Sequence, residues 1–380
     1  MDLELSDEQV WLEESINTLL DRQWPPARDA WQAGAEERAR LWASLVEFGV
    51  LGGPDGHLGA IELCLTARAL GGHLASVPFL GTVGVRYAIA PFAAELPDGF
   101  ATLLDSDSRV AIALLEPGAG WAVSGTRATL EDNRLTGTKA AVEHARDAEY
   151  FAVVALVDGR PGLALVPSAS PGVRLTPQSG LDATVPLSRV AFADADVEAV
   201  VEDEFAEAII NRLISVGGLL AAAEAGGAAT GIFAEACRYA SERRQFGRTI
   251  ASNQALRHLM SDLHVRQASG WSTTLFAAAA LDDGIPGAGQ TASIAKAYVS
   301  RAAREVAHGA MQVFGGIAFT EEHPAHRFLR RIIAREQQFG DAAHHERELG
   351  RSLAASAAPG GRGADPARPA VERVTERGAV

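Results

Sequence analysis

The sequence predicts an α+β multidomain protein in which an N-terminal α-helical domain, a middle β-barrel-like domain and a C-terminal four-helix bundle follow one another. Three observations predict this order. The chain has 380 residues, too many for one small core. Apolar residues recur at helical spacing towards both ends, and short β-rich runs separated by turn residues fill the middle. We expect the domains to span residues 1–108, 109–202 and 203–355, with a disordered tail over 356–380.

The N-terminal region begins with a helix-start signal. Ser6-Asp-Glu-Gln9 has the spacing of a capping box, and apolar residues follow it at roughly helical intervals. Further helical patterns cover residues 41–50 and 61–70. These patterns predict a helical domain that ends near residue 108.

The middle region changes to strand-like patterning. Short β-rich runs are separated by Gly, Pro, Asp and Asn at strand-like intervals, and they are found at 110–115, 127–135, 150–157, 163–166 and 185–192. Asp158-Gly159 between two apolar runs predicts a tight hairpin turn.

Long helical patterns return after residue 202. The run from Phe205 to Tyr239 contains no proline, and further helices are predicted at 255–281, 291–313 and 324–337. After Leu353 the chain is mostly Ala, Pro, Gly and Arg, a composition that cannot bury a core.

Composition excludes several classes of function. A formal net charge of −14 argues against nucleic-acid binding, which needs a basic face. The two cysteines, Cys64 and Cys237, provide no disulfide framework and fit a reducing compartment. We find no secretory signal and no apolar run long enough to span a bilayer, so we expect a cytoplasmic protein without a membrane partner. The histidine spacings are poor for metal ligation, and we expect no metal site.

A set of motifs carries the strongest functional signal. In chain order they are Tyr239-Ala-Ser-Glu-Arg-Arg-Gln-Phe-Gly-Arg-Thr-Ile250, Gln254-Ala-Leu-Arg-His258, Gln312-Val-Phe-Gly-Gly-Ile-Ala-Phe-Thr320 and His326-Arg-Phe-Leu-Arg-Arg331. Their order and spacing resemble the acyl-CoA dehydrogenase family, whose members use FAD to desaturate acyl thioesters between Cα and Cβ. Glu116-Pro-Gly-Ala-Gly120 and Leu135-Thr-Gly-Thr-Lys139 lie where the family has segments near the flavin.

The resemblance implies FAD as cofactor. An arginine fork suits a pyrophosphate, and paired glycines let the backbone approach it. By resemblance the cofactor-binding residues are Arg243, Gln245, Phe246, Gln254, Gln312, Gly315 and Gly316. In the family the arginine and glycine segments that surround one FAD come from different subunits. The chain is therefore expected to form a homodimer or tetramer, or a heterotetramer with a related subunit, and to pass electrons to an electron-transfer flavoprotein.

The catalytic base is where this sequence departs from the family. The usual glutamate of the loop is replaced by Phe339, and the second family position, on the long central helix, is Gly217. Our first candidate for the base is Asp341, which lies in the same loop two residues after Phe339. The second is Glu224, which lies two helical turns after Gly217. Each residue also has a possible structural role instead of a catalytic one. Asp341 is suited to cap the N-terminus of a helix, and Glu224 is suited to a buried ion pair. Glu336 is a weaker third candidate, and the arginine that often binds CoA is replaced by Gly218.

The predicted function is FAD-dependent α,β-desaturation of an acyl-CoA thioester, with a bulky or steroid-like acyl group. Two alternatives stay open. In the first, the chain is a partner subunit of a heteromeric acyl-CoA dehydrogenase and contributes no catalytic base. In the second, it is a flavin oxidase or monooxygenase that acts on a substrate other than a thioester.

Overall fold

The computed structural model describes residues 4–27, 29–52 and 58–357. It begins with helices α1 (Asp7–Gln23), α2 (Ala35–Phe48), α3 (Ala60–Gly72), α4 (Phe79–Ile89) and α5 (Asp98–Asp105). The predicted capping box forms at α1, because the Ser6 hydroxyl accepts from the Gln9 amide at 3.2 Å and the Gln9 side chain accepts from the Ser6 amide at 3.0 Å.

Eight strands follow in one mixed sheet. They are β1 (Val110–Ala113), β2 (Thr129–Glu131), β3 (Arg134–Glu143), β4 (Tyr150–Val157), β5 (Arg160–Pro167), β6 (Val173–Gln178), β7 (Leu187–Asp196) and β8 (Ala199–Val201). The order is β6-β7-β3-β2-β4-β5-β8, with β1 paired to β4. Strands β1 and β2 run parallel to β4, and the other pairs are antiparallel. The hairpin predicted at Asp158-Gly159 joins β4 to β5, where Val157 faces Arg160.

Side-chain alternation along β4 joins the sheet to the helices. Phe151 and Val153 point into a core of the sheet region itself, whereas Ala152 and Val154 belong to the large core shared with the helices. The sheet is therefore packed against the helical part of the molecule, and that junction contains the cavity described below.

The C-terminal helices are α6 (Asp203–Glu242), α7 (Gln254–Asp282), α8 (Ala288–Phe314), α9 (Ala325–Gln337) and α10 (Ala342–Ala357). A small hairpin of β9 (Arg244–Gln245) and β10 (Arg248–Thr249) joins α6 to α7. The fold class predicted from sequence is confirmed. Because α10 runs to Ala357, the disordered tail predicted for 356–380 falls almost entirely outside the described residues.

Helix α6 lies at the centre of the bundle. A Cβ atom on Gly227 would lie 1.9 Å from the carbonyl oxygen of Arg68 on α3, so only glycine allows the two helices to approach so closely. Helix α6 is also long and apolar enough to cross a membrane by length and composition, which corrects our expectation from the sequence that no such run exists. Its most apolar stretch is largely buried by neighbouring helices, as in the core helix of a bundle.

Candidate functional site

The residues predicted to hold FAD lie at one end of the bundle. Arg243 is the C-cap of α6 and Gln254 is the first residue of α7, and both are exposed. Between them, Phe246 and Gly247 form the tip of the β9–β10 hairpin with φ values of 51° and 79°. A positive φ is unusual for a bulky residue and costs about 1 kcal/mol or more. The hairpin thus displays the Phe246 ring, which is 100% exposed.

The second predicted segment reaches the same end of the bundle. Gln312, Gly315 and Gly316 stand at the end of α8 and are exposed. The rings of Tyr239 on α6 and Phe314 on α8 pack edge to face at 5.4 Å, which holds the two helix ends together. The structure therefore brings the arginine and glycine segments close together and leaves their polar groups open. The roles of these residues in binding FAD stay predictions.

A cavity lies where the N-terminal helices, the sheet and the α9–α10 loop meet. It is lined from the N-terminal region by residues 75–81, from the sheet region by Trp121 and residues 140–144, and from the C-terminal helices by Glu224, Arg335 and Phe339. Trp121 directly follows the Glu116–Gly120 segment and residues 140–144 directly follow the Leu135–Lys139 segment, the two segments that the resemblance places near the flavin. The cavity volume is about 40 Å³, which leaves room for only a few water molecules at about 10–15 Å³ each.

Phe339 occupies space between the cavity and α6. It is 2% exposed and has a φ of 59°, so its backbone also lies in the left-handed region. A Cβ atom on Gly217 would lie 2.6 Å from the tip of the Phe339 ring. The two positions that the sequence resemblance aligns with the family's base are therefore in contact, and the aromatic ring fills the space that a side chain at 217 would need.

Neighbouring groups hold Phe339 in place. Trp121, directly after the Glu116–Gly120 segment, packs its ring 5.4 Å from that of Phe339. The His345 imidazole hydrogen-bonds the Phe339 carbonyl at 3.1 Å. Buried Lys296 donates to the carbonyls of Arg335 and Glu336 at 2.7 and 2.8 Å, at the end of α9. These contacts fix the loop that in relatives carries the base.

Glu224 lies on the cavity wall inside a buried network of charges. One of its oxygens accepts from Arg331 at 2.7 Å, and the other lies 2.9 Å from Nε of Arg335. Arg331 also pairs with Asp182 and donates to Thr184 at 2.5 Å. Burial lowers the pKa of Arg331, but Asp182 and Glu224 outweigh it and raise that pKa overall. Both oxygens of Glu224 are thus engaged by guanidinium groups.

The other two candidate acids also have structural partners. One Asp341 oxygen accepts from the His344 amide at 2.7 Å, which is the N-cap contact of α10. Glu336 is buried and pairs with Arg304 at 3.1 Å. Catalysis by Asp341 or Glu224 stays a prediction, and the contacts favour the structural roles weighed for both residues.

A second buried ion pair supports the cavity from the sheet side. Lys139, fully buried on β3, donates to Glu116 at 2.8 Å. Burial alone would raise the pKa of Glu116, but Lys139 and the amides of Ala128 and Arg127 lower it to about 2. This pair fixes the segment that carries Trp121 against β3.

Several residues of the cavity were not singled out from the sequence, among them Trp121, Glu143 and His144. Trp121 follows a glycine-rich segment and gives no periodic signal, and nothing local pairs it with Phe339. Glu143 on β3 forms an ion pair with Arg335 at 2.5 Å across 192 positions of the chain. His144, next to Glu143, was not singled out, although its buried ring lines the cavity. Within the described residues no group of three or more His, Cys, Asp or Glu side chains is placed to hold a metal ion.

Comparison with known proteins agrees with this architecture. Residues 207–354 match the family model of the acyl-CoA dehydrogenase C-terminal domain. The chain is 28% identical over 370 residues to the acyl-CoA dehydrogenase FadE27 of Mycobacterium tuberculosis, covering 89% of this chain and 95% of the relative.

Solved structures are similar over most of the chain. The ChsE4–ChsE5 complex of Mycobacterium tuberculosis gives a TM-score of 0.81 at 26% identity, covering 94% of this chain and 100% of that one. A variant of the Tcur3481–Tcur3483 steroid ACAD gives a TM-score of 0.81 at 26% identity, covering 93% of this chain and 99% of that one. The butyryl-CoA dehydrogenase of Megasphaera elsdenii gives a TM-score of 0.83 at 21% identity, covering 93% of this chain and 100% of that one. At this identity the similarity is one of fold alone.

The fold and the comparisons together indicate a flavoprotein oxidoreductase with a helical, β and helical-bundle architecture. Over residues 207–354 the chain matches the acyl-CoA dehydrogenase C-terminal domain, and over most of its length it is similar to acyl-CoA dehydrogenases. FAD is its cofactor. The exposed arginine fork at the end of α6 and the open Gly315-Gly316 backbone have the chemistry that the FAD pyrophosphate requires.

Proposed function

We propose that this chain is the subunit of a heteromeric acyl-CoA dehydrogenase that takes part in FAD binding and supplies no catalytic base. The observation that carries this proposal is the contact between Phe339 and Gly217, because one aromatic ring fills the space at both positions where the family places its glutamate. Removal of an α-proton needs a carboxylate close to the substrate that is free to accept it.

The remaining carboxylates near the cavity support the same conclusion. Glu224 and Glu143 line it, and both are paired with arginines. To accept a substrate proton, either would have to leave a buried guanidinium without its partner, which is strongly unfavourable. Asp341 is turned into the first turn of α10, where it caps the helix.

The exposed residues predicted to bind FAD support an assembly of more than one subunit. Phe246 is fully exposed beside Arg243 and Gln245, so the hairpin presents an aromatic ring and polar groups to a ligand or a second chain. In relatives the two motif segments around one FAD come from different subunits. The proposed partner is a related chain with the loop glutamate, and the reduced complex passes electrons to an electron-transfer flavoprotein. The cytoplasm is the proposed location.

The acyl substrate is proposed to be bulky and ring-containing. Support comes from the steroid ACAD to which this chain is 26% identical over nearly its full length. A cavity of about 40 Å³ has no room for such a group, so the acyl chain is proposed to bind in the partner subunit.

Anaerobic reduction of FAD tests this proposal. The chain is purified alone, and also together with a related chain that carries a glutamate in the loop, and both are mixed with a panel of acyl-CoAs. We expect acyl-CoA to bleach the flavin of the complex and not that of the chain alone. Replacing the partner's loop glutamate with glutamine should abolish bleaching, and Asp341→Asn in this chain should leave it unchanged.

The opposite pattern would support a self-sufficient dehydrogenase. In that case the chain alone is bleached by an acyl-CoA, and Asp341→Asn slows the reaction by about 100-fold or more, which corresponds to about 2.7 kcal/mol of barrier. Such a result would overturn the proposal of a subunit without a base.

A further inference from the structure

Three polar side chains at the edge of the cavity form a chain of hydrogen bonds. The Ser76 hydroxyl lies 3.3 Å from Nε2 of His144, and Nδ1 of His144 lies 3.1 Å from an oxygen of Asp147. Ser76 and His144 are each 4% exposed, and both line the cavity. A hydroxyl, an imidazole and a carboxylate in this order have the geometry of an activated nucleophile.

The orientation of His144 is fixed by its surroundings. Its backbone has a φ of 51°, a left-handed conformation that histidine adopts rarely and that a turn must hold. That turn is closed by a hydrogen bond from the Asp147 amide to the His144 carbonyl at 2.9 Å. With Nδ1–H directed at the Asp147 carboxylate, Nε2 keeps a lone pair towards Ser76.

Asp147 is suited to orient the ring. Burial raises the pKa of Asp147, but the hydrogen bond to His144 and the charge of Arg38 outweigh this and lower it overall. Nε of Arg38 lies 3.6 Å from the carboxylate. Asp147 therefore stays ionised and stabilises a positive charge that forms on the imidazole.

The loop that carries Ser76 is also held rigidly. Arg331 donates to the carbonyls of Ala75 at 2.9 Å and Leu74 at 3.4 Å, so the buried charge network fixes the backbone directly before Ser76. Helix α4 starts three residues after Ser76, and Leu80 and Gly81 in its first turn line the same cavity. First-turn amides lack acceptors inside their helix, and they stabilise a negatively charged oxygen.

We propose that Ser76, His144 and Asp147 form a second catalytic site, which cleaves short acyl thioesters or activated esters by acyl transfer to Ser76. Ser76 is the nucleophile, His144 the general base and Asp147 a positioning residue. Apolar side chains of Val77, Val110 and Ile112 line the rest of the cavity, and its volume of about 40 Å³ admits a short acyl group only.

The chemistry balances with water as the second reactant. Oγ of Ser76 bonds to the acyl carbonyl carbon while its proton passes to Nε2 of His144, and the carbonyl oxygen becomes an oxyanion at the start of α4. The carbon–sulfur or carbon–oxygen bond then breaks, and the leaving thiol or alcohol takes the proton from His144. Water attacks the acyl-serine ester with His144 again as base, which releases the acid and restores Ser76.

Covalent labelling of the full-length protein tests this proposal. Methanesulfonyl fluoride, a serine-reactive reagent about the size of an acetyl group, is added to the folded chain, and the modified peptide is identified by mass spectrometry. We expect one adduct, on Ser76, together with hydrolysis of p-nitrophenyl acetate and of acetyl-CoA, detected as released nitrophenol and thiol. His144→Gln should slow labelling about 100-fold or more, because general-base catalysis contributes about that much.

Ser170→Ala is the matched control. Ser170 is also buried, but its hydroxyl donates to the Asp196 carbonyl at 2.9 Å rather than to a histidine, so this variant should label and hydrolyse like the wild type. Asp147→Asn should label at a rate between those of the wild type and His144→Gln. The absence of an adduct on Ser76 in the wild type, or equal labelling of His144→Gln, would overturn the proposal. These assays need neither FAD nor a partner, so they can fail independently of the proposed function.

Discussion

The ring of Phe339 lies against the backbone of Gly217, so closely that a methyl group at 217 would be 2.6 Å from the ring. The neighbouring Gly218 differs, since a Cβ atom there would meet Phe339 only at 3.8 Å and Lys296 at 3.9 Å. The contact with Phe339 therefore requires a glycine at 217 but not at 218, and the residues at positions 217 and 339 depend on each other.

The first prediction concerns this contact. In a helix, Gly→Ala normally stabilises by about 1 kcal/mol, and Gly218→Ala should show that gain. Gly217→Ala should instead lower the free energy of unfolding by about 1–3 kcal/mol, because the new methyl group overpacks the Phe339 ring. Urea unfolding measures both. In the double variant Gly217→Ala, Phe339→Leu the loss should be smaller than the sum of the single losses, and strict additivity would contradict the contact.

The second prediction separates the two roles considered for Asp341. Asp341→Ala should lower the free energy of unfolding by about 1 kcal/mol through loss of the α10 N-cap, whereas Asp341→Asn should change it by only a few tenths of a kcal/mol, because asparagine caps equally well. Thermal or urea unfolding provides the measurement. An equal loss in both variants would argue that the negative charge, rather than the cap, matters at this position.

The third prediction concerns Glu224. Glu224→Gln removes a charge that both Arg331 and Arg335 contact, so we expect the free energy of unfolding to fall by about 3 kcal/mol. Glu204→Gln, at an exposed position in the first turn of the same helix, should cost far less. If the two variants unfold at the same urea concentration, the buried network does not contribute as described.

The fourth prediction is a dependence of stability on pH through His345. Burial lowers the pKa of His345 to about 4, well below its value in an unfolded chain. The unfolded state therefore binds more protons between about pH 6.5 and pH 4, and stability is lost as the pH falls through this window. His345 alone should account for about 2 kcal/mol of loss between pH 7 and pH 5.

Comparison with a glutamine variant isolates that contribution. His345→Gln should lose less free energy of unfolding between pH 7 and pH 5 than the wild type does, when both are measured by urea unfolding. His258→Gln, at an exposed position on α7, serves as the control and should follow the wild type. A His345→Gln variant as acid-sensitive as the wild type would contradict this prediction.

The fifth prediction concerns FAD. Arg243→Ala should weaken FAD binding about 10- to 150-fold, because a charge-assisted hydrogen bond contributes about 1.5–3 kcal/mol. It should leave the fold intact, since the side chain is exposed. Arg301→Ala, an exposed arginine on α8 paired with Glu346, is the control and should bind FAD normally. Flavin titration by absorbance measures both, and equal affinities would remove Arg243 from the FAD site.

Local patterns in the sequence were sufficient to predict much of this molecule. The Ser6–Gln9 capping box, the Asp158-Gly159 hairpin and the long α6 follow from the spacing of residues close together in the chain, and each forms. The motifs between Tyr239 and Arg331 predicted a similarity to acyl-CoA dehydrogenases and FAD as cofactor, and the match of residues 207–354 to the C-terminal domain of that family agrees with both. The same motifs align Phe339 and Gly217 with the positions of the usual glutamate, and its loss stays a prediction.

Only the tertiary structure decided what replaces that glutamate. The contacts of Phe339 with Gly217 and Trp121, of Arg331 with Asp182 and Glu224, and of His144 with Ser76 each join residues far apart in the chain. Periodicity reports which face of a helix or strand is buried, but it carries no information about which distant side chain fills the facing space. The partners of buried charged groups are set by packing, since only a specific geometry compensates for the loss of water around them.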